Sequence, residues 1–224
     1  MDGAYQRARS PAQKAERAER ILAAARSLLE AKPDSSALSL NELARRAGMA
    51  KSNVYRYFES REAVLLALLA DQAAAWGRQV VEGLARMDTG EAVDARLARM
   101  AALLAGTAAR RPLLCHLLSV LPSVLEHNVS FATVRRFKAD NHERMTHLAR
   151  AMHRALPELT VEQHGELLHH GTPLIIGSWP LAHPAEVVRE VMQSGALPGP
   201  GHRFEDDLRR AFVLLGRGML GDQG

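Results

Sequence analysis

The sequence predicts an all-helical protein of about nine helices. Aromatic residues make up only 4% of the chain, whereas Ala and Leu abound, a composition that favours helices over strands. No stretch shows the alternating β-branched pattern of a strand. Apolar residues instead recur at three- and four-residue intervals between capping and breaking signals.

Taken in order, residues 1–13 are small, polar and basic and predict no element. A first helix is predicted over 14–31, with Ala18, Ile21, Leu22, Ala25, Leu28 and Leu29 on one side; Pro33-Asp34-Ser35-Ser36 breaks it. Ser39, with Glu42 three residues on, has the form of a capping box opening a short helix over 40–46, and Gly48 ends that helix. A second short helix covers 51–57. Ser60 caps a long helix reaching residue 86. Val93, Leu97, Met100 and Leu104 mark a helix over 93–110, and Pro112 suits the first position of the next. That next segment, 113–125, is apolar nearly all round and reads as central, with Pro122 kinking or ending it. Ser130 caps a helix over 131–156, with Val134, Phe137, Met145, Leu148 and Met152 inward. Thr160 and Gln163 form a further capping box, opening a helix over 161–178. Short and long helices over 184–192 and 204–220 complete the chain, with Phe204, Leu208, Phe212 and Leu215 on one face of the last.

Composition bounds the class. The 224 residues are 47% apolar, enough for an ordinary core. The single cysteine, Cys115, cannot form an internal disulfide and points to a reducing compartment. The polar, basic start is not that of a signal peptide. The longest uncharged run, 167–185, is long enough to span a bilayer but holds His169, His170, His183, Pro173, Pro180 and Pro184, so a cytoplasmic protein with no membrane partner is expected. Residues 1–62 carry 12 Lys/Arg against 8 Asp/Glu, and residues 63–224 carry 17 of each, so the net charge of +4 sits entirely in the first quarter. A polyanionic partner for that quarter follows.

Residues 40–69 concentrate the functional signal. Two short helices separated by a Gly-containing turn follow a longer helix, the layout of a helix-turn-helix whose second short helix enters a major groove. Leu43, Ala44, Val54 and Phe58 are placed for packing. Lys51, Ser52, Asn53, Tyr55, Arg56 and Tyr57 are placed outward. Lys51 and Arg56 suit phosphates or guanine edges, Asn53 suits adenine, and the tyrosine hydroxyls suit phosphate oxygens. Ser39 joins this set at the start of the preceding helix. Arg7, Arg9 and Lys14 are expected to reach phosphates or a minor groove from a flexible arm.

The run Ala47-Gly48-Met49-Ala50-Lys51-Ser52-Asn53-Val54-Tyr55-Arg56-Tyr57-Phe58, followed by Ser60-Arg61-Glu62-Ala63-Val64, resembles the signature of the TetR/AcrR family. Ile21, Ala24, Ala25 and Leu28 match that family's first-helix pattern, so the resemblance covers about residues 15–70. Ala50 departs from it, standing where the family has Ser or Thr to cap the recognition helix. The resemblance implies a DNA-binding domain over 1–62, an effector-binding and dimerisation domain over 63–224, a homodimer on double-stranded operator DNA with two half-sites, and release by a ligand.

Within the second domain, a kinked and apolar central helix suits a pocket wall. Met100, Leu103, Leu117, Leu121, Leu125, Phe131 and Trp179 are the candidate lining, with His127 or Asn128 as polar handles, for a small hydrophobic effector. Leu167, Leu168, Gly171, Leu174 and Ile175 on one helix, and Leu208, Phe212 and Leu215 on the last, are the candidate dimer faces. Gly171 suits either close approach at that interface or relief of strain ahead of Pro173. No cofactor or metal is expected. His142-Glu143 and His147 are spaced five apart rather than the four of a metalloprotease helix. A helical metal-dependent or redox enzyme using the His and Cys residues is the alternative from another class.

Overall fold

The computed structural model describes residues 11–32, 35, 38–194 and 201–221. It is all-α, with ten helices among those residues: α1 Pro11–Ala31, α2 Leu40–Ala47, α3 Lys51–Tyr55, α4 Arg61–Leu84, α5 Val93–Ala109, α6 Pro112–Val120, α7 Phe131–Ala155, α8 Val161–Ala182, α9 Glu186–Gln193 and α10 Phe204–Gly221. No described helix is long and apolar enough to cross a membrane.

Local chemistry sets the boundaries. The Glu42 amide donates to Ser39 Oγ (3.2 Å), while the Glu42 carboxylate turns to Arg45, whose Nε donates to it at 3.2 Å. Gly48 closes α2 at φ +65°, the left-handed region where a Cβ costs about 1–2 kcal/mol. Ser60 Oγ accepts from Ala63 N (3.1 Å) and Ser130 Oγ from Thr133 N (3.2 Å). At α8 both halves of the capping box close: Gln163 N donates to Thr160 Oγ1 (3.2 Å) and Thr160 N to Gln163 Oε1 (2.8 Å). Helix α1 starts a turn before the predicted residue 14, at Pro11, a residue whose missing N–H costs nothing at a first helical position. Near Pro122 the α-helix ends, at Val120, and the chain passes into a single π-helical turn, Leu121–Leu125. Helix α8 runs through both Pro173 and Pro180 to Ala182, four residues beyond its predicted end.

One continuous apolar core joins α1–α4 to the rest. Ile21, Ala25, Leu29, Leu43 and Val54 pack from the N-terminal unit onto Val64, Leu65 and Leu68 of α4. Leu97, Met100 and Leu104 of α5, Leu117 of α6, Leu148 and Met152 of α7, Leu167 and Leu168 of α8, and Leu208 and Phe212 of α10 continue it. Helix α4 therefore belongs to both units, and Arg26 Nη2 locks α1 to it through Asp71 Oδ2 at 2.8 Å. Arg96, 5% exposed, binds Glu158 through both Nη atoms, Nη1 to Oε2 at 2.9 Å and Nη2 to Oε1 at 2.5 Å; its Nε donates to Glu91 O at 2.9 Å. This two-pronged pair fastens α5 to the α7–α8 corner.

Candidate nucleic-acid interface

Helix α3 is short and one-sided. Val54 is fully buried and anchors it, and Phe58, half-buried, packs below. Lys51, Ser52, Tyr55 (51% exposed) and Arg56 face solvent; Asn53 and Tyr57 are half-buried at the edges. Lys51 Nζ lies 5.9 Å from the Tyr55 ring centroid, so cation and aromatic share one patch. Ala50 has extended N-cap backbone (φ −69°, ψ 146°) but offers no side-chain cap, as its departure from the family pattern implies. Arg20 braces the turn from behind, donating from Nη2 to Ala47 O at 3.0 Å. Ser39 is exposed, its hydroxyl engaged in capping α2. Of the expected arm, Arg7 and Arg9 lie outside the described residues. Lys14 is exposed on α1 itself rather than on a segment preceding it.

Sequence reasoning missed Glu59, between α3 and α4. Its Oε1 accepts from Ser130 N (2.8 Å) and Thr133 Oγ1 (2.8 Å), tying the start of α7 to the loop behind the recognition helix. These bonds, the backbone one foremost, hold the Glu59 carboxyl below its ordinary pKa. The partners are 71 and 74 residues away, a separation that no local pattern reveals.

Among the described residues, a partly enclosed cavity of about 170 Å³ lies between α4, α5, α6, α7, α8 and α10. Leu69, Trp76, Leu114, Cys115, Leu118, Leu121, Phe137, Met145 and Ile175 contribute apolar lining, with Asn141, Thr172 and Lys138, which pairs with Glu126, as the polar groups. Of the nine predicted pocket residues it collects Leu121. Met100, Leu117 and Leu125 are fully buried but packed in the core, and Leu103 lies on α5 away from the cavity. Trp179 lines a different, open cleft. Phe131 is 83% exposed, and His127 and Asn128 are exposed; Asn128 adopts φ +55° in the turn entering α7, whose first turns ride over the surface. These three are corrected as cavity residues. Burial raises the Cys115 thiol to about 12, the opposite of what a reactive thiolate needs. No group of three or more metal-ligating side chains is gathered among the described residues.

The predicted dimer faces also need correction. Leu167, Leu168, Gly171, Ile175, Leu208 and Phe212 are buried within the protomer, because α8 and α10 pack directly on one another and on α5–α7. Gly171 serves that packing: a Cβ there would lie 2.4 Å from Phe212 Cε1. Leu174 is 38% exposed, and the half-buried Leu215 packs against the edge of the core. Leu181 on α8, Val187, Val188, Val191 and Met192 on α9, and Leu214 on α10 are exposed as well. Helix α9 buries none of its residues.

Residues 21–68 match the family model described as bacterial regulatory proteins, tetR family, and residues 70–223 match the tetracyclin repressor-like C-terminal domain. The second match alone spans more than half of the chain. The protein belongs to the TetR family. Its helix-turn-helix is therefore the family's N-terminal module, and the family models meet within α4, the helix both units share. An uncharacterized HTH-type transcriptional regulator of Mycobacterium tuberculosis, found in two strains, is 37% identical over 68 residues, 30% of this chain and 33% of that protein. The chain thus matches about a third of the length of those curated relatives. Among solved structures, a TetR transcriptional regulator from Rhodococcus sp. RHA1 superposes with a TM-score of 0.57 at 20% identity, covering 90% of this chain and 95% of that one. The fatty acid degradation regulator FadR from Bacillus halodurans gives 0.52 at 13% identity over 97% and 98%. Both are similar in fold across nearly the whole chain.

Proposed function

We propose that the protein is a cytoplasmic transcriptional repressor that binds a palindromic operator as a homodimer and is released by a small, mainly apolar molecule. The observation that carries this reading is α3: five residues with one buried anchor, Val54, presenting Lys51, Ser52, Tyr55 and Arg56 outward beyond the left-handed Gly48 turn. Phosphate contacts from Lys51 and Tyr55 orient the helix, and Arg56 and Asn53 read base edges. Dimerisation uses the exposed apolar residues of α8–α10, and the two-fold symmetry of the dimer matches a palindrome.

The effector occupies the partly enclosed cavity. At about 170 Å³ this space is smaller than the roughly 300–1,000 Å³ of typical small-molecule sites, so binding widens it, and the wide π-helical turn bearing Leu121 is the wall best able to yield. That turn leads through residues 126–130 to Ser130, where Glu59 connects it to the recognition helix. A ligand that favours a widened cavity therefore moves the start of α7 and the tilt of α4, changing half-site spacing.

Genome-wide selection of bound DNA, followed by titration of the selected site, tests the reading. Specific binding of a palindrome is expected, weakened by ligand, and operator should weaken ligand binding by the same factor. Absence of sequence-specific DNA binding by the intact dimer would overturn it.

A further inference from the structure

Helices α1, α4, α6 and α8 frame a second space, an open cleft of about 950 Å³. It lies on the other face of α6 from the partly enclosed cavity. Leu113, His116, Ser119 and Val120 look into the cleft, whereas Leu114, Cys115, Leu118 and Leu121 look into the cavity, and the two share no lining residue. The cleft is amphipathic. Leu29, Pro112, Leu113, Trp179 and Pro180 give it an apolar, partly aromatic wall, and the Trp179 indole stacks on the His183 ring with centroids 3.8 Å apart and planes at 28°. Arg110 and Arg111 give it consecutive guanidinium groups where α5 passes into α6.

Among the described residues neither guanidinium closes an ion pair with a carboxylate. Arg111 Nε donates to Gln79 Oε1 at 3.1 Å, a neutral partner that fixes the side chain's direction without cancelling its charge. Arg110 Nη1 and Glu205 Oε1 both approach the space above Gly106, at 3.3 and 3.0 Å from where a Cβ would stand, without pairing. Arg110 is exposed and Arg111 half-buried, so both guanidinium groups are within reach of a ligand. Among the described residues lining the cleft, Glu30, on α1, is the one carboxylate. Trp179 itself is 9% exposed, covered by His183 and, edge-on, by Phe204 at 5.0 Å, so the cleft joins the rim of this aromatic stack and two exposed prolines to two forked donors whose geometry suits a carboxylate or phosphate.

We propose that this cleft is a second ligand site, for an amphipathic aromatic anion, its ring against the rim of the Trp179–His183 stack and the two prolines and its anionic head at Arg110 and Arg111. The site is distinct from the partly enclosed cavity, where an apolar effector is proposed. Leu29 and Glu30 belong to the N-terminal unit, so an occupant touches that unit and α6 and α8 together, and the fit of the ligand depends on how α1 sits against α6.

Calorimetric titration of the full chain with 2-naphthoate, 2-naphthyl phosphate and neutral 2-naphthol tests this without reference to DNA. Binding of at least one aryl anion is expected, with the neutral ring at least tenfold weaker. Which anion binds tighter identifies the head group. The double variant Arg110→Ala/Arg111→Ala should lose at least tenfold for the anion and leave 2-naphthol unchanged, with partial recovery for Arg110→Lys/Arg111→Lys. Thr172→Leu, which narrows the partly enclosed cavity, should leave anion binding unchanged. The proposal is overturned if neither anion binds, if the arginine variant binds as tightly as the native chain, or if Thr172→Leu rather than the arginine variant abolishes binding. Equal competition by inorganic phosphate would also overturn it, since that would mark a plain anion site with no use for the ring.

Discussion

Two stretches of α10 frame the contrast between the two halves of this molecule. Leu208 is 2% exposed and Leu214 is 59% exposed, yet both are leucines on an amphipathic helix. In the N-terminal unit the apolar faces of three helices have one destination: Ile21, Leu43 and Val54 are fully buried in the core they share with α4. In the C-terminal unit helices of up to 25 residues carry apolar residues on two sides, one for the protomer and one for something outside it. Periodicity reports that a face is apolar but not what covers it.

Replacing each leucine separately breaks that contrast most directly. Leu208→Ala removes a fully packed side chain and should cost about 2–5 kcal/mol of protomer stability by thermal unfolding. Leu214→Glu should leave the helical content unchanged and, if the α8–α10 surface is the dimer interface, turn the dimer into a monomer in sedimentation at micromolar concentration. A dimer that survives both Leu214→Glu and Val188→Glu would place the interface elsewhere.

The same contrast explains what was legible in the sequence. The helices and their caps at Ser39, Ser60, Ser130 and Thr160 could be read because capping is local, within three residues. The exposed side of α3 could be read because one buried residue, Val54, fixes the register of a five-residue helix. The cavity could not, because its lining draws on six helices and the π-helical turn, and its nearest sequence proxy, the apolar segment 113–125, has one side in the cavity and another in the open cleft. The dimer residues were misread for the same reason: Leu167, Leu168, Ile175, Leu208 and Phe212 are apolar because α8 and α10 meet each other. Gly171 is small because Phe212 occupies the place of its side chain.

Next in size is the Arg96–Glu158 pair. Removing one carboxylate oxygen's charge in Glu158→Gln leaves a buried guanidinium poorly matched and should cost about 2–3 kcal/mol, below the 3–5 of a fully buried pair because Glu158 is partly solvated. The hydrogen bond from Arg96 depresses the Glu158 pKa from 4.5. A carboxyl depressed on folding stabilises above its unfolded pKa and loses that contribution as pH falls through its folded value. Native protein should therefore lose stability below about pH 4.5 more steeply than Glu158→Gln. Buried His164 acts in a neighbouring window: burial depresses its pKa below 6.5, so the unfolded chain takes up its proton first and stability falls as pH drops below 6.5. A flat melting temperature from pH 7 to 5 would contradict this.

In the N-terminal unit the largest expected effect is on binding rather than folding. Arg56 and Lys51 are both exposed, Lys51 with its Nζ 5.9 Å from the Tyr55 ring centroid, so Arg56→Ala and Lys51→Ala should leave the melting temperature within a degree or two. Each should weaken operator binding about tenfold, near 1.4 kcal/mol. Lys51→Ala should lower affinity for all sequences and reduce the salt slope by about one, whereas Arg56→Ala should relax preference at one base pair. Unchanged affinity in both variants would remove α3 from the interface.

The smallest effect tests the one place where the N-terminal unit departs from its own family's pattern. Ala50 occupies the N-cap of α3 with the extended backbone that a capping residue needs, and Asn53 N already donates to Ala50 O at 2.9 Å. Only the side-chain acceptor is missing, so the orphan amides at the start of α3 are left to solvent or to a DNA phosphate. Ala50→Ser supplies that acceptor without altering the turn set by Gly48, and should raise stability by about 0.5–1 kcal/mol. Its effect on operator binding separates two roles for those amides. If they serve only α3, a better-formed helix binds the operator slightly tighter, within about threefold. If they donate directly to a phosphate, the serine hydroxyl competes for them, and affinity falls while thermal stability still rises. Opposite signs in the two measurements would show that the bare N-terminus of α3 is part of the DNA surface.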